Sequence, residues 1–176
     1  MTLQGILKIA NIKASMNTKQ EIPDIPGIVP VLRASLPIDA HLNLNPYWIS
    51  GFTAGEGCFS VSVIKSKAKL GETSWIRFIL TQHNRDKNLM NSLVTYFGCG
   101  KINQASNATY FVVQRLSNIM DIIIPFFDKY PLVGVKVKDF EDFKRVAELM
   151  NSKGHLTKEG LEAIRKIKQG MNTMRK

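Results

Sequence analysis

Small residues line one side of a short apolar segment that ends in an acid. Gly51 and Gly55 are four residues apart, with Ser50 and Ala54 beside them, and Glu56 follows directly. Residues four apart share a face of a helix, and small residues there let a second helix approach closely. Two such helices would bring two acids together. Carboxylates are ligands that Mg²⁺ prefers, and paired cations can stabilise both oxygens in phosphodiester cleavage.

The composition indicates one globular domain with a basic surface. The chain has 176 residues, of which 44% are hydrophobic and 22% are charged, enough for a core and an appendage. It carries 24 Lys and Arg against 14 Asp and Glu, a net charge of +10. This charge favours a polyanionic partner, although a ribosomal or membrane-surface protein would share it.

The apolar runs and the cysteines argue against a membrane protein and against a zinc-binding or disulfide-bonded protein. The most apolar stretch, 119–127, contains Asp121 and Pro125 and is far shorter than the roughly 20 residues of a membrane-spanning helix, so we expect no membrane partner. Cys58 and Cys99 have no metal-binding partner at short spacing. We therefore expect neither a zinc site nor a disulfide framework.

Hydrophobic periodicity predicts an alternation of helices and strands. Asn45 is the expected cap of the first helix, with Pro46 in its first turn, and Ser117 the expected cap of a later one. The predicted order is a helix over 47–54, strands over 58–65 and 75–82, a helix over 86–97, strands over 101–105 and 109–115, and helices over 117–127, 137–151 and 157–171.

An internal repeat and a linker divide the chain. Seven positions recur with the same spacing at both ends: Gly5, Ile6, Ile9, Ile12, Lys13, Met16 and Asn17 match Gly160, Leu161, Ile164, Ile167, Lys168, Met171 and Asn172. We expect 1–17 to be the last helix of a preceding repeat, 18–45 to be a Pro-rich linker and 46–176 to be a whole unit. The alternative for 1–20, which has lysines and no acidic residue, is a mitochondrial targeting segment.

From Pro46 to about Asn172 the sequence resembles the LAGLIDADG homing endonucleases, in particular the carboxy-terminal half of single-chain fungal organellar members. The matching segments stand in family order: ISGFTAGEG at 49–57, Cys58-Phe59, Thr81-Gln82-His83, Asp86-Lys87, Phe97-Gly98-Cys99-Gly100, Pro131-Leu132, Lys136 and Asp139-Phe140. The resemblance implies an α+β fold, an αββαββα unit whose four-stranded antiparallel sheet forms a saddle over DNA. It also implies Mg²⁺-dependent cleavage of a specific double-stranded site, and an organelle-encoded, mitochondrial protein.

Site roles follow from positions in the family pattern. Glu56 corresponds to the metal-binding acid, with Gly55 beside it in a site whose two or more cations are shared by paired units. Gln82 matches a residue that orders water near the metals, and Lys136 one that stabilises charge at the scissile phosphate. Each of these residues also has a simpler interpretation. Glu56 could accept backbone N–H groups of a Gly-rich turn, Gln82 could be an ordinary exposed amide at a strand end, and Lys136 could be one more solvated charge.

The sequence departs from the family pattern in three ways. Ala54 replaces the first acid of the motif, and Glu56 replaces the second Asp but keeps the carboxylate. The 176 residues also contain one motif helix where a cleaving assembly has two. We therefore expect a second LAGLIDADG unit as partner, in a homodimer or as a separate amino-terminal half, packed on Ser50, Gly51, Ala54 and Gly55.

Alternation along the strands separates a core face from an outer face. The core face has Phe59, Val61 and Val63 with Ile76, Phe78 and Leu80. Polar and aromatic side chains on the other face suit base edges, and the lysines of the first hairpin loop suit phosphates. The predicted DNA-binding residues are Ser60, Ser62, Ile64, Ser66, Lys67, Lys69, Trp75, Arg77, Ile79, Thr81, Lys101, Asn103, Tyr110, Val112 and Gln114.

Two other functions remain open at this point. A non-cleaving nucleic-acid-binding protein, such as a group I intron splicing cofactor that binds RNA, would keep the same surface. A structural component of an organellar ribonucleoprotein would need only the basic charge.

Overall fold

The structure is a computed structural model that describes residues 44–67 and 69–172. The predicted orphan helix over 1–17 and the predicted linker up to residue 43 lie outside the described residues. The described elements are α1 (Pro46–Glu56), β1 (Gly57–Lys65), β2 (Glu72–His83), α2 (Lys87–Phe97), β3 (Lys101–Gln104), β4 (Ala108–Val113), α3 (Leu116–Asn118), α4 (Ile124–Lys129), α5 (Lys136–Asn151) and α6 (Lys158–Gly170). This order confirms the predicted αββαββα unit.

The four strands form one antiparallel sheet in the order β1-β2-β4-β3. β1 runs beside β2 from Gly57 opposite Leu80 to Lys65 opposite Glu72. β4 lies between β2 and β3. The pairs β1-β2 and β3-β4 are hairpins, so a short loop sets the register of each, whereas β2 and β4 pair although α2 and β3 lie between them in the chain.

The core lies between one face of the sheet and the helices. Phe59 is fully buried, and its ring centroid lies 5.3 Å from those of Phe78 and Phe143, 5.4 Å from that of Phe140 and 5.7 Å from that of Phe127. The predicted core-face residues Val61, Ile76 and Leu80 are also buried, and Val63 packs against the same cluster. Aromatic rings from β1, β2, α4 and α5 therefore hold the helices on the sheet.

The helix that follows β4 differs from the prediction. It begins at Leu116 with Arg115 at the cap position, so Ser117 is inside the helix and does not cap it. Between α3 and α4 the chain makes a π turn, Ile119–Ile123, which ends two residues before Pro125. Proline lacks the N–H that continues an α-helix and crowds the preceding turn, and a wider turn accommodates it.

Within the described residues, no helix combines the length and the apolar character required to cross a membrane.

Candidate active site and DNA-binding surface

Residues at both ends of α1 determine where it starts and stops. The Asn45 side chain accepts a backbone N–H of the first turn at 2.9 Å, and Pro46 opens the helix as predicted. At the other end the N–H of Gly57 donates to the Thr53 carbonyl. A Cβ on Gly57 would lie 2.5 Å from that carbonyl oxygen, so glycine is required. Glu56 is consequently the last helical residue, directly before β1.

Two glycines of α1 face open space. A Cβ built on Gly51 or Gly55 meets no atom within 4 Å, and both residues are exposed. A glycine inside a helix costs about 0.5–1 kcal/mol relative to alanine, so packing within this unit does not account for either one. Ala54, next to them, is half-buried. Gly51, Ala54 and Gly55 form what we call the glycine face of α1.

Ser50 departs from the predicted interface with a partner helix. Its side chain is buried, and the hydroxyl donates to the carbonyl oxygen of Tyr130 at 2.7 Å. This contact ties α1 to the segment after α4 in its own unit. Ser50 therefore does not belong to the glycine face.

An aromatic pair that the sequence analysis did not select borders the glycine face. The rings of Trp48 and Phe52 stack with centroids 5.1 Å apart, and Trp48 remains 43% exposed. Two aromatic residues four apart on a helix would have signalled this contact. The glycine face is thus a shallow strip beside a raised aromatic edge.

The acid and the lysine selected from the sequence lie at the same end of α1. Glu56 is exposed, and the Nζ of Lys136, the first residue of α5, donates to the carbonyl oxygen of Gly57 at 2.8 Å. The ammonium group is therefore held at the residue next to Glu56. The carboxyl end of a helix carries partial negative charge, which favours cations at this position.

Oxygen atoms at this end of α1 suit a divalent cation. The carboxylate of Glu56 is accessible, and the last carbonyls of a helix, which include that of Gly55, lack partners within the helix. Mg²⁺ prefers such oxygen ligands. In the part of the chain that the structure describes, no three His, Cys, Asp or Glu side chains cluster to hold a metal.

Gln82 lies at the end of β2, near the same corner of the sheet. Gln82 is two residues after Leu80, which pairs with Gly57. It therefore lies on the same face of the strand as the core residues. Its Oε1 accepts the backbone N–H of His83 at 3.0 Å. The amide NH₂ is the part of the side chain that this contact leaves for other partners.

The outer face of the sheet presents paired polar and aromatic side chains. Ser60 stands opposite Arg77 and Ser62 opposite Trp75, and Trp75 is 45% exposed. All predicted members in the strands except Val112 are exposed or half-buried: Ser60, Ser62, Ile64, Trp75, Arg77, Ile79, Thr81, Lys101, Asn103 and Tyr110. Gln114 is exposed just past β4, and Thr73, which the sequence analysis omitted, pairs with Ile64.

Val112 is the exception on this face. It pairs with Ile79 on one side and Lys101 on the other, and it is only 6% exposed. A central strand position leaves a small side chain covered by its larger neighbours. Its predicted contact with DNA is therefore withdrawn.

The loop between β1 and β2 carries two exposed lysines. Ser66 N–H donates to the carbonyl of Gly71 at 2.8 Å, which closes the loop, and Lys67 and Lys69 are exposed within it. Glu72, at the base of the loop, pairs with Arg165 of α6. This ion pair joins the base of the loop to α6.

Comparisons with known proteins agree with this geometry. A family model described as LAGLIDADG endonuclease matches residues 49–147. The chain is 37% identical over 169 residues to "Probable intron-encoded endonuclease 3" of Neurospora crassa, covering 93% of this chain and 32% of that protein. A second protein of that fungus, "Probable intron-encoded endonuclease 2", is 34% identical over 183 residues, covering 97% and 39%.

Solved structures give the same result. The I-SmaMI LAGLIDADG homing endonuclease bound to cleaved DNA aligns with a TM-score of 0.87 and 40% identity, over 99% of this chain and 60% of that one. The I-LtrWI LAGLIDADG homing endonuclease bound to target DNA aligns at 0.86 and 42%, with the same coverage. The chain therefore spans about a third of the two curated relatives and 60% of these structures.

Proposed function

Because this chain belongs to the LAGLIDADG endonuclease family, we propose that it is one half of a site-specific DNA endonuclease that cleaves after pairing with a second LAGLIDADG unit. The observation that carries the proposal is the glycine face of α1, which is open to solvent and leads directly to Glu56. The partner is a second copy of the chain or an amino-terminal half.

The cation at the paired helix ends is proposed to be Mg²⁺, which would supply Lewis acidity at the phosphate being cut. Glu56 would bind it through its carboxylate, together with the carbonyl of Gly55. The ammonium group of Lys136, held beside Glu56, would offset negative charge that develops on the phosphate. Gln82 would orient water from the end of β2.

The outer face of the sheet is proposed to read the duplex. Side chains such as Arg77, Ser60 and Asn103 offer hydrogen bonds for base edges, and Lys67 and Lys69 suit phosphates. The names of the relatives, probable intron-encoded endonucleases of a fungus, support an origin in an intron, and the organellar, mitochondrial location is proposed from the family resemblance.

Replacement of one acid tests the proposal. Duplexes bound by the chain are first selected from a random pool, and their cleavage is then followed with Mg²⁺ or with a chelator. We expect Mg²⁺-dependent cleavage that Glu56→Gln lowers by about 100-fold or more, because the amide cannot bind the cation as a carboxylate does, with duplex binding retained.

The matched control is Glu141→Gln, which removes one exposed carboxylate from α5 and should cut at the parental rate. Equal cleavage by the Glu56 variant would contradict the assignment of the acid. Binding of RNA without binding or cleavage of any duplex would contradict the proposed function as a whole.

A further inference from the structure

Asn172 joins three parts of the unit through its backbone N–H and both polar atoms of its side chain. Its backbone N–H donates to Oδ1 of Asp139 at 3.0 Å, and its Nδ2 donates to the carbonyl oxygen of Phe59 at 3.0 Å. Its Oδ1 accepts a weak bond from the Cys58 thiol at 3.7 Å. The end of the chain after α6 is thus bonded to α5 and to β1 at one point.

The backbone at Asn172 has a left-handed conformation, with φ at +52°. Few residues other than glycine take this conformation readily, and asparagine is one of them. The turn aims the amide at β1 while the N–H reaches α5. Asparagine therefore satisfies two requirements here: it tolerates the backbone and supplies a donor.

The residues that seat α6 lead the chain to this point. Leu161 and Ile164 are buried, as is Met171, and a Cβ on Gly160 would lie 2.0 Å from the carbonyl oxygen of Gly154. These are positions of the internal repeat, which ends at Asn172. The repeated pattern is therefore a set of contacts that docks α6 and delivers an asparagine.

The bonds of Asn172 flank the contact between Lys136 and Gly57. Asp139 is buried one helical turn after Lys136, and Phe59 is two residues after Gly57. Cys58 lies between these two strand residues. Burial raises the pKa of its thiol, while the nearby charge of Lys136 lowers this pKa and that of Asp139 raises it. The groups that would act in cleavage and those that bind Asn172 thus form one cluster.

We propose that Asn172 is a positioning residue: by bonding β1 to the first turns of α5, it fixes the ammonium group of Lys136 at the end of α1, in register with Glu56. This inference rests on the proposed endonuclease function. It gives Asn172 a role that acts through Lys136, and it assigns a task to the motif that ends the repeat.

The test removes the side-chain donor while keeping the backbone. Asn172→Gly retains the left-handed conformation and the N–H that binds Asp139, but it loses the bond to Phe59. The matched control is Asn151→Gly at the other end of α5, about 22 Å from Lys136 by helix rise. Asn151 is exposed, so the same substitution leaves the cluster intact.

Two readouts are measured on the full chain. At saturating selected duplex, we expect Asn172→Gly to lower the single-turnover cleavage rate by about tenfold or more, with the dissociation constant for DNA changed less than about threefold. In lysine-labelled NMR spectra without DNA, the ammonium signal of Lys136 should lose its protection from exchange. Asn151→Gly should match the parent in both.

The outcomes separate this proposal from the proposed function. An unchanged Lys136 signal in folded Asn172→Gly overturns the positioning role, whether or not the parent cleaves DNA. A lost signal together with a parent that never cleaves supports the positioning contact and overturns the endonuclease proposal. If Asn172→Gly does not fold, Asn172→Asp, which also tolerates the left-handed turn but lacks the NH₂ donor, decides by the same two measurements.

Discussion

Glu56 is the final residue of α1 and does not belong to the turn that follows. The glycines on either side of it predicted a helix that ends near Gly55, but the helix continues because the Gly57 N–H still reaches the Thr53 carbonyl. Because that bond satisfies the Gly57 N–H, the Glu56 side chain is not needed to accept it. The carboxylate is left facing outwards, at the helix end that attracts cations.

At the same scale, variants of Lys67 and Lys69 distinguish contacts with phosphates from contacts with bases. Both are exposed in the loop after β1. We expect Lys67→Ala and Lys69→Ala each to weaken binding across all duplex sequences and to reduce the slope of log affinity against log salt by about one, since each lysine releases about one counterion. Binding titrations at four or more salt concentrations measure the slope.

Lys166→Ala is the matched control, because Lys166 is exposed on α6 and carries the same charge. It should leave the slope unchanged. A slope that stays parental in both loop variants would remove the loop from the DNA-binding surface.

At the scale of elements, two exposed glycines lower the stability of α1 and leave one of its faces open. Gly51 lies in the interior of an 11-residue helix and Gly55 is its second-to-last residue, and neither has a neighbour that requires glycine. We expect Gly51→Ala to raise the free energy of unfolding of the lone unit by about 0.5–1 kcal/mol, and Gly55→Ala to raise it by less because the end of a helix is less constrained. The same methyl groups should hinder pairing of two units and lower cleavage, because helix backbones can no longer approach closely.

Urea unfolding at low protein concentration measures the first effect, and sedimentation with a selected duplex measures the second. Gly57→Ala is the contrasting variant, since its Cβ meets the Thr53 carbonyl oxygen at 2.5 Å and should destabilise the unit. Glycine-face variants that pair and cleave like the parent would contradict the role of this surface.

At the scale of the whole unit, the features that the sequence predicted are those set by residues close together in the chain. Alternation placed Phe59 and Phe78 in the core and Arg77 and Trp75 outside, because strand geometry alone fixes parity. The strand ends were less predictable: β2 starts at Glu72, since pairing with β1 extends the strand beyond its alternating part.

The missed features depend on contacts between distant segments. Val112 is covered by strands on both sides, and Ser50 bonds to a carbonyl 80 residues away. The joint at Asn172 connects residues that are 33 and 113 positions apart. No local pattern contains such partners, although the repeated Met171-Asn172 pair marked the place. The roles of Glu56, Gln82 and Lys136 came from the family resemblance and stay predictions.

A crystal structure of the chain with its selected duplex and Mn²⁺, located by anomalous scattering, tests the central claim most directly. We expect the glycine face to lie against a second motif helix, with a Mn²⁺ peak bound by Glu56 and by the acid of that helix next to the phosphate to be cut. An assembly in which Glu56 faces solvent, far from any second motif helix and without a cation, would contradict the account.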